Sequence, residues 1–171
     1  MRSKLSVFLL VVGLSFSLFS PSYALDVNEY RKIAEDTIRQ MNMGIAGDIE
    51  VVIAMQEKLM ILGIEAGVEF LQNDSDNGRP LQLVIVNAEN MKTLSLARME
   101  ELWVQGKFLK DKGFNPEDLD AFGVMATLMD SVIYPATAYV ALEEYKNTGN
   151  PELLIRVKTE LLAALNKIGQ L

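Results

Sequence analysis

Three residues with chemically useful side chains lie close together in the last third of the chain: Asp130, Ser131 and Tyr134. On a helix, Asp130 and Tyr134 share a face, because residues four apart are neighbours on the helix surface. Pro135 follows directly, and a proline inside a helix leaves the carbonyl group four residues earlier, that of Ser131, without its usual hydrogen bond. A carboxylate, a hydroxyl and a phenol in an apolar segment predict a polar pocket, which Tyr139 would extend.

A second group of candidates comes from an earlier segment that contains Arg98 and Trp103. The guanidinium group of an arginine suits the binding of a carboxylate or a phosphate. Two alternatives remain open at this point: the Arg98 side chain extends into solvent, or it pairs with Asp130. The residues predicted to bind a ligand are Asp130, Ser131, Tyr134, Arg98, Trp103 and Tyr139.

Catalysis has few candidates, because the chain contains no cysteine and no histidine. Their absence removes thiol nucleophiles, structural disulfides, the commonest zinc and haem ligands and the usual general base at neutral pH. Glu100 and Glu101 are adjacent, so on a helix they point about 100 degrees apart and make a poor acid and base pair. We therefore predict no catalytic residue and no cofactor, and keep a carboxylate-dependent hydrolase as an alternative function.

Two patterns raise the question of a metal. The loop from Asn73 to Gly78 has the polar density of a calcium loop, but aligning its glycine places Val84 where the bidentate glutamate is needed. Met41 and Met43 are the closest pair of thioethers, and methionines at helical spacing more often fill gaps in a core. The sequence predicts no metal site.

The sequence predicts that helices position these residues. A corner between two helices is predicted at Gly149, Asn150, Pro151 and Glu152, and the segment Gly113 to Glu117 has the same pattern. Apolar stripes predict helices over about 27–41, 48–71, 81–111 with a break near Asn90, 121–142 and 154–168. The expected fold is an all-α, antiparallel, bundle-like domain of four or five helices.

The segment 121–142 is apolar and carries one charge, that of Asp130. Its length would span a membrane, but an aspartate near the centre costs about 2.5 to 3.5 kcal/mol on insertion scales. We therefore predict that it is the central buried helix of the domain, kinked or broken at Pro135.

Residues 1–24 have the layout of a cleavable export signal: a basic start, an apolar run from Leu5 to Phe19 and small residues before Leu25. The alternative is an uncleaved membrane anchor. Removing its two positive charges from a net charge of −7 leaves −9 for residues 25–171, the predicted single domain. Such a surface disfavours nucleic acid and anionic lipid.

The expected product is periplasmic or secreted. The sequence favours a non-enzymatic module that binds a small, largely apolar ligand or a partner protein. A second hypothesis is an inhibitor or immunity-type protein whose acidic surface covers a basic partner.

Overall fold

In the computed structural model, residues 25–44, 48–73, 78–115 and 123–169 are described. Within these ranges the fold is all-α, as predicted, with seven α-helices, one π-helical segment and no strands. The helices are α1 (Val27–Asn42), α2 (Ile49–Asn73), α3 (Arg79–Met91), α4 (Leu96–Met99), α5 (Lys107–Asp111), α6 (Val124–Thr148) and α7 (Glu152–Ile168), and the π segment is Glu100–Val104.

Capping residues set several of the helix ends. The Asp26 carboxylate accepts a hydrogen bond from the backbone N–H of Glu29, and Asp48 accepts one from that of Glu50. At the predicted second corner, Gly149 adopts a left-handed conformation with φ of 68° and ends α6. Asn150 then accepts from the N–H of Glu152 at the start of α7. These caps satisfy backbone donors that would otherwise have no partner at the helix starts.

Helix α6 lies at the centre of the packing. It contacts α2 and α7 most extensively and α3 next, and most of its residues are buried. Among the described residues it is the one helix long and apolar enough to cross a membrane, yet 72% of its most apolar window is buried inside the protein. The burial agrees with the prediction of a central core helix.

The segment predicted as helix over 81–111 is broken near Asn90, as expected, and a second time at a point that the sequence did not predict. The chain leaves the helix after Met91, and the Ser95 hydroxyl caps α4 by accepting from the N–H of Arg98. A second break falls at Gly106, whose φ of 72° lies in the left-handed region. A serine cap and a glycine in the left-handed conformation commonly mark helix boundaries. The apolar residues of this segment therefore belong to several short helices and not to one long helix.

Pro135 does not break α6, which runs unbroken from Val124 to Thr148. The expected consequence for Ser131 is present, because the hydrogen-bond partner of its carbonyl oxygen comes from another helix. The Tyr30 hydroxyl on α1 donates to that oxygen at 3.0 Å. Residues 1–24, residues 74–77 of the loop compared with a calcium site, and the end of the first predicted corner, Pro116 and Glu117, lie outside the described residues.

Candidate functional site

The π segment positions an aromatic side chain over α6. The backbone N–H of Gln105 donates to the carbonyl of Glu100 at 2.8 Å, five residues earlier, which widens the helix by one residue. Trp103 lies in this segment, is 5% exposed, and stacks on Phe108 with 4.3 Å between ring centroids. Single π turns inside α-helical segments occur frequently at functional sites.

A cleft of about 300 Å³ separates the π segment and α5 from α6 and the end of α7. Trp103 and Leu109 contribute to one side, and Met129, Asp130 and Tyr134 contribute to the other. Its volume is at the lower end of the range for small-molecule sites, about 300 to 1,000 Å³. The structure thus brings together three of the predicted residues, Trp103, Asp130 and Tyr134, at one concave surface.

Lys167, near the end of α7, also lines the cleft. Its Nζ lies 3.9 Å from Oδ2 of Asp130, and the Asp130 side chain is 23% exposed. The carboxylate is therefore neither fully enclosed nor paired with Arg98. The cleft offers an acceptor and a cationic donor side by side among mostly apolar residues, while polar atoms make up the larger share of its exposed lining.

Ser131 points away from this cleft, although it follows Asp130 in sequence. It is fully buried, and its hydroxyl donates to the carbonyl of Leu128 at 2.7 Å. Gly63 of α2 packs so closely that a Cβ there would lie 2.6 Å from the Ser131 Oγ and 2.8 Å from its carbonyl oxygen. Ser131 thus lies at a close approach of α2 and α6, outside the cleft.

Tyr30 completes the buried contact around Ser131. Burial first, and then the negative charge of Asp130, raises the pKa of the Tyr30 hydroxyl well above its ordinary value of 10.0. The phenol therefore stays neutral and serves as a hydrogen-bond donor to the carbonyl that Pro135 leaves without a partner.

Arg98 and Tyr139 also lie apart from the cleft residues. The Arg98 side chain is 50% exposed, and its Nη1 lies 2.5 Å from Glu101 Oε2. Of the two alternatives that the sequence leaves open for Arg98, the structure shows the solvent-facing one, with Glu101 as the partner of the guanidinium group. Tyr139 lies below the Lys92 ammonium group, 5.6 Å from the ring centroid.

A charged network ties the π segment to α7. Arg156 bridges two carboxylates, with Nη2 3.0 Å from Glu100 and Nε 2.7 Å from Glu160. The Nε contact has the distance of an ion pair without the alignment of a hydrogen bond. Burial raises the pKa of Glu160 to about 7, because Arg156 lowers it less than desolvation raises it and Glu100 raises it further.

The sequence analysis missed Lys167 and Glu160. Both lie on α7, seven residues apart, and therefore on the same side of that helix. Glu160 breaks the pattern of that side, since a glutamate stands among the apolar residues Val157, Leu161 and Ala164. A charged residue inside an apolar stripe is the signal that would have identified it.

No family model matches this chain, and no curated protein or solved structure shows significant similarity to it.

Proposed function

We propose that this protein is an exported, non-enzymatic helical module that binds a small amphipathic molecule in the cleft between the π segment and α6. The observation that carries the proposal is the meeting of Trp103, Asp130, Tyr134 and Lys167 around one cavity of about 300 Å³. A concave surface lined by aliphatic and aromatic residues with a few convergent polar groups is typical of small-molecule sites.

The lining determines the chemical class of the ligand. Trp103 and its apolar neighbours suit a flat or branched apolar body. Asp130 accepts hydrogen bonds and Lys167 donates them, with 3.9 Å between their charged atoms. The complementary head group carries a donor beside an acceptor, as an amide or a zwitterion does. This ligand is more polar than the largely apolar one that the sequence predicts.

The wider setting belongs to the same proposal. Residues 1–24 carry the features of an export signal, which supports a periplasmic or secreted location. The mature domain would be residues 25–171, with its helices in an antiparallel, bundle-like arrangement around α6. The central position of α6 and the short corner between α6 and α7 support this arrangement.

The position of Trp103 allows a direct test. It is the single tryptophan of the chain and it lines the cleft, so its fluorescence reports on this site without a label. We expect native mass spectrometry of the protein from its own host to show a retained small molecule. After that molecule is removed, adding it back should change the tryptophan emission in a saturable titration.

Two variants locate the binding. Asp130→Asn removes the charge at the cleft and should weaken binding about tenfold or more, the loss expected for a charged hydrogen bond. Asp111→Asn is the matched control, because Asp111 is a 57% exposed carboxylate that pairs with Lys107. Equal affinities in the two variants would place the ligand elsewhere. A chain that retains no molecule and gives no saturable change with a low-molecular-weight host extract would contradict the function itself.

A further inference from the structure

The outward face of α2 carries a repeating stripe of exposed residues. Its members alternate at spacings of three and four residues, which is the spacing of a coiled-coil seam. We call this surface the outer stripe; it consists of Val51, Ala54, Lys58, Ile61, Glu65, Val68 and Gln72.

The outer stripe carries three large apolar side chains on a solvent-facing surface. Val51 is 58% exposed, Ile61 52% and Val68 41%. Ala54, Ile61 and Val68 recur every seven residues, so every second position of the stripe is apolar. The opposite face of α2 is buried against α6. A helix that contacts one core is usually polar on its other side, and the apolar residues of the outer stripe depart from that pattern.

A shallow groove runs beside the stripe. It lies between α2 and α3, has a volume of about 140 Å³, and is lined by Met60, Ile61 and Ile64. Charged residues Glu57, Glu89 and Lys92 also line it. The stripe and this groove form a continuous surface, since Ile61 belongs to both.

We infer that the outer stripe pairs with the same stripe of a second copy of this chain, as two antiparallel helices related by a two-fold axis near Ile61. Lys58 and Glu65 lie on either side of Ile61, three residues before it and four after it. In an antiparallel pair, Lys58 faces Glu65 of the partner subunit, and the symmetric contact forms as well. A parallel pair in register would place lysine against lysine, so the charges favour the antiparallel copy.

The dimensions of α2 suit such a pair. Its 25 residues span about 38 Å, which accommodates three heptads of the seam. Within one chain, Lys58 Nζ already lies 2.5 Å from Glu29. In the dimer, the Lys58 ammonium group therefore lies between Glu29 of its own chain and Glu65 of the partner subunit.

The first test measures oligomeric state. We expect the protein from its own host to show a monomer to dimer equilibrium in sedimentation velocity across a range of concentrations. Ile61→Glu should leave a folded monomer, because it places a carboxylate on the two-fold axis. Ile155→Glu is the matched control: Ile155 is 67% exposed on α7, outside the stripe, and its replacement should leave the dimer intact.

The second test is a charge-reversal cycle. Lys58→Glu and Glu65→Lys should each weaken dimerisation about tenfold or more, and the double variant should restore it. Glu29→Gln removes the contact within the chain and should leave the dimer in place. A protein that remains monomeric at every concentration, including one that instead binds lipid vesicles, would overturn the inference. So would a dimer unaffected by Ile61→Glu, or a double variant no better than the single ones.

Discussion

The two sides of α6 differ although the residues that define them are neighbours in sequence. Asp130 lines the cleft, is 23% exposed and lies near Lys167. Ser131 is fully buried on the side of α2 and α1, where Gly63 packs against it and Tyr30 binds its carbonyl oxygen. One side is open to a small molecule, and the other is filled by protein.

The difference shows that helix geometry assigns the roles of these polar residues. Successive residues of a helix point about 100 degrees apart, so a cluster that is close in sequence divides between two environments. Asp130 and Tyr134, four residues apart, remain together on the cleft side. Ser131 contributes a close helix contact, which is a structural role.

The packed side can be tested with a pair of glycines on α2. Gly63→Ala would place a Cβ 2.8 Å from the Ser131 carbonyl oxygen, where backbone atoms cannot move aside without separating the helices. Gly67→Ala would meet only the ends of Ile85 and Leu81, at 2.9 and 3.3 Å. Both variants gain the same helix propensity, so the difference between them reports the steric clash. We expect Gly63→Ala to be less stable than Gly67→Ala by about 3 kcal/mol in denaturant unfolding.

The same pair also tests whether the two sides are independent. Because the cleft lies on the other side of α6, folded Gly67→Ala should keep the tryptophan emission of the unmodified protein. Equal stability of the two alanine variants would show that α2 and α6 are farther apart than this structure has them.

Glu160 extends the comparison, because it is buried as Ser131 is and carries a carboxyl group as Asp130 does. Its pKa of about 7 in the folded chain exceeds the ordinary value of 4.5. Between these two values the unfolded chain releases its proton while the folded chain retains it, so stability falls as pH rises from 4.5 through about 7. Between pH 5 and 8 we expect a loss of about 2 kcal/mol in the free energy of unfolding.

Glu160→Gln is the variant that isolates this effect. A neutral amide does not titrate, so the variant should be more stable than the unmodified protein at pH 8 and should lack the decline. The chain has no histidine, which leaves this pH window free of the usual titrating group. An equal pH dependence in both proteins would show that Glu160 is ionised in the folded chain throughout the range.

Local signals in the sequence predicted the helical class, the corner at Gly149 and Asn150, and the central position of 121–142. These features depend on residues close together in the chain, where periodicity and capping chemistry decide the structure. The loss of the usual helical hydrogen bond to the Ser131 carbonyl was also predictable, because a proline removes the N–H that would bind the carbonyl four residues earlier.

The missed features depend on residues far apart in sequence. Lys167 and Asp130 meet only because α7 folds back along α6, and no spacing in the sequence gives that contact. The second break in the segment 81–111 was missed for a local reason, because Gly106 is a helix boundary inside a continuous apolar stripe. Giving Gly106 the weight given to Gly149 would have located that break.

The smallest expected effect concerns the hydroxyl of Tyr30. Tyr30→Phe removes the donor to the buried Ser131 carbonyl and should cost about 1.5 kcal/mol, the usual penalty for an unsatisfied buried acceptor. Tyr145→Phe, at a half-buried tyrosine near the end of α6, is the control and should change stability little.

A second experiment repeats Tyr30→Phe in a Pro135→Ala variant. Alanine at position 135 has a backbone N–H, which can donate to the carbonyl oxygen of Ser131. In that background Tyr30→Phe should cost clearly less, and the difference measures the coupling between the phenol and the proline. If the cost is the same with proline and with alanine, the Tyr30 hydroxyl stabilises the packed side independently of Pro135.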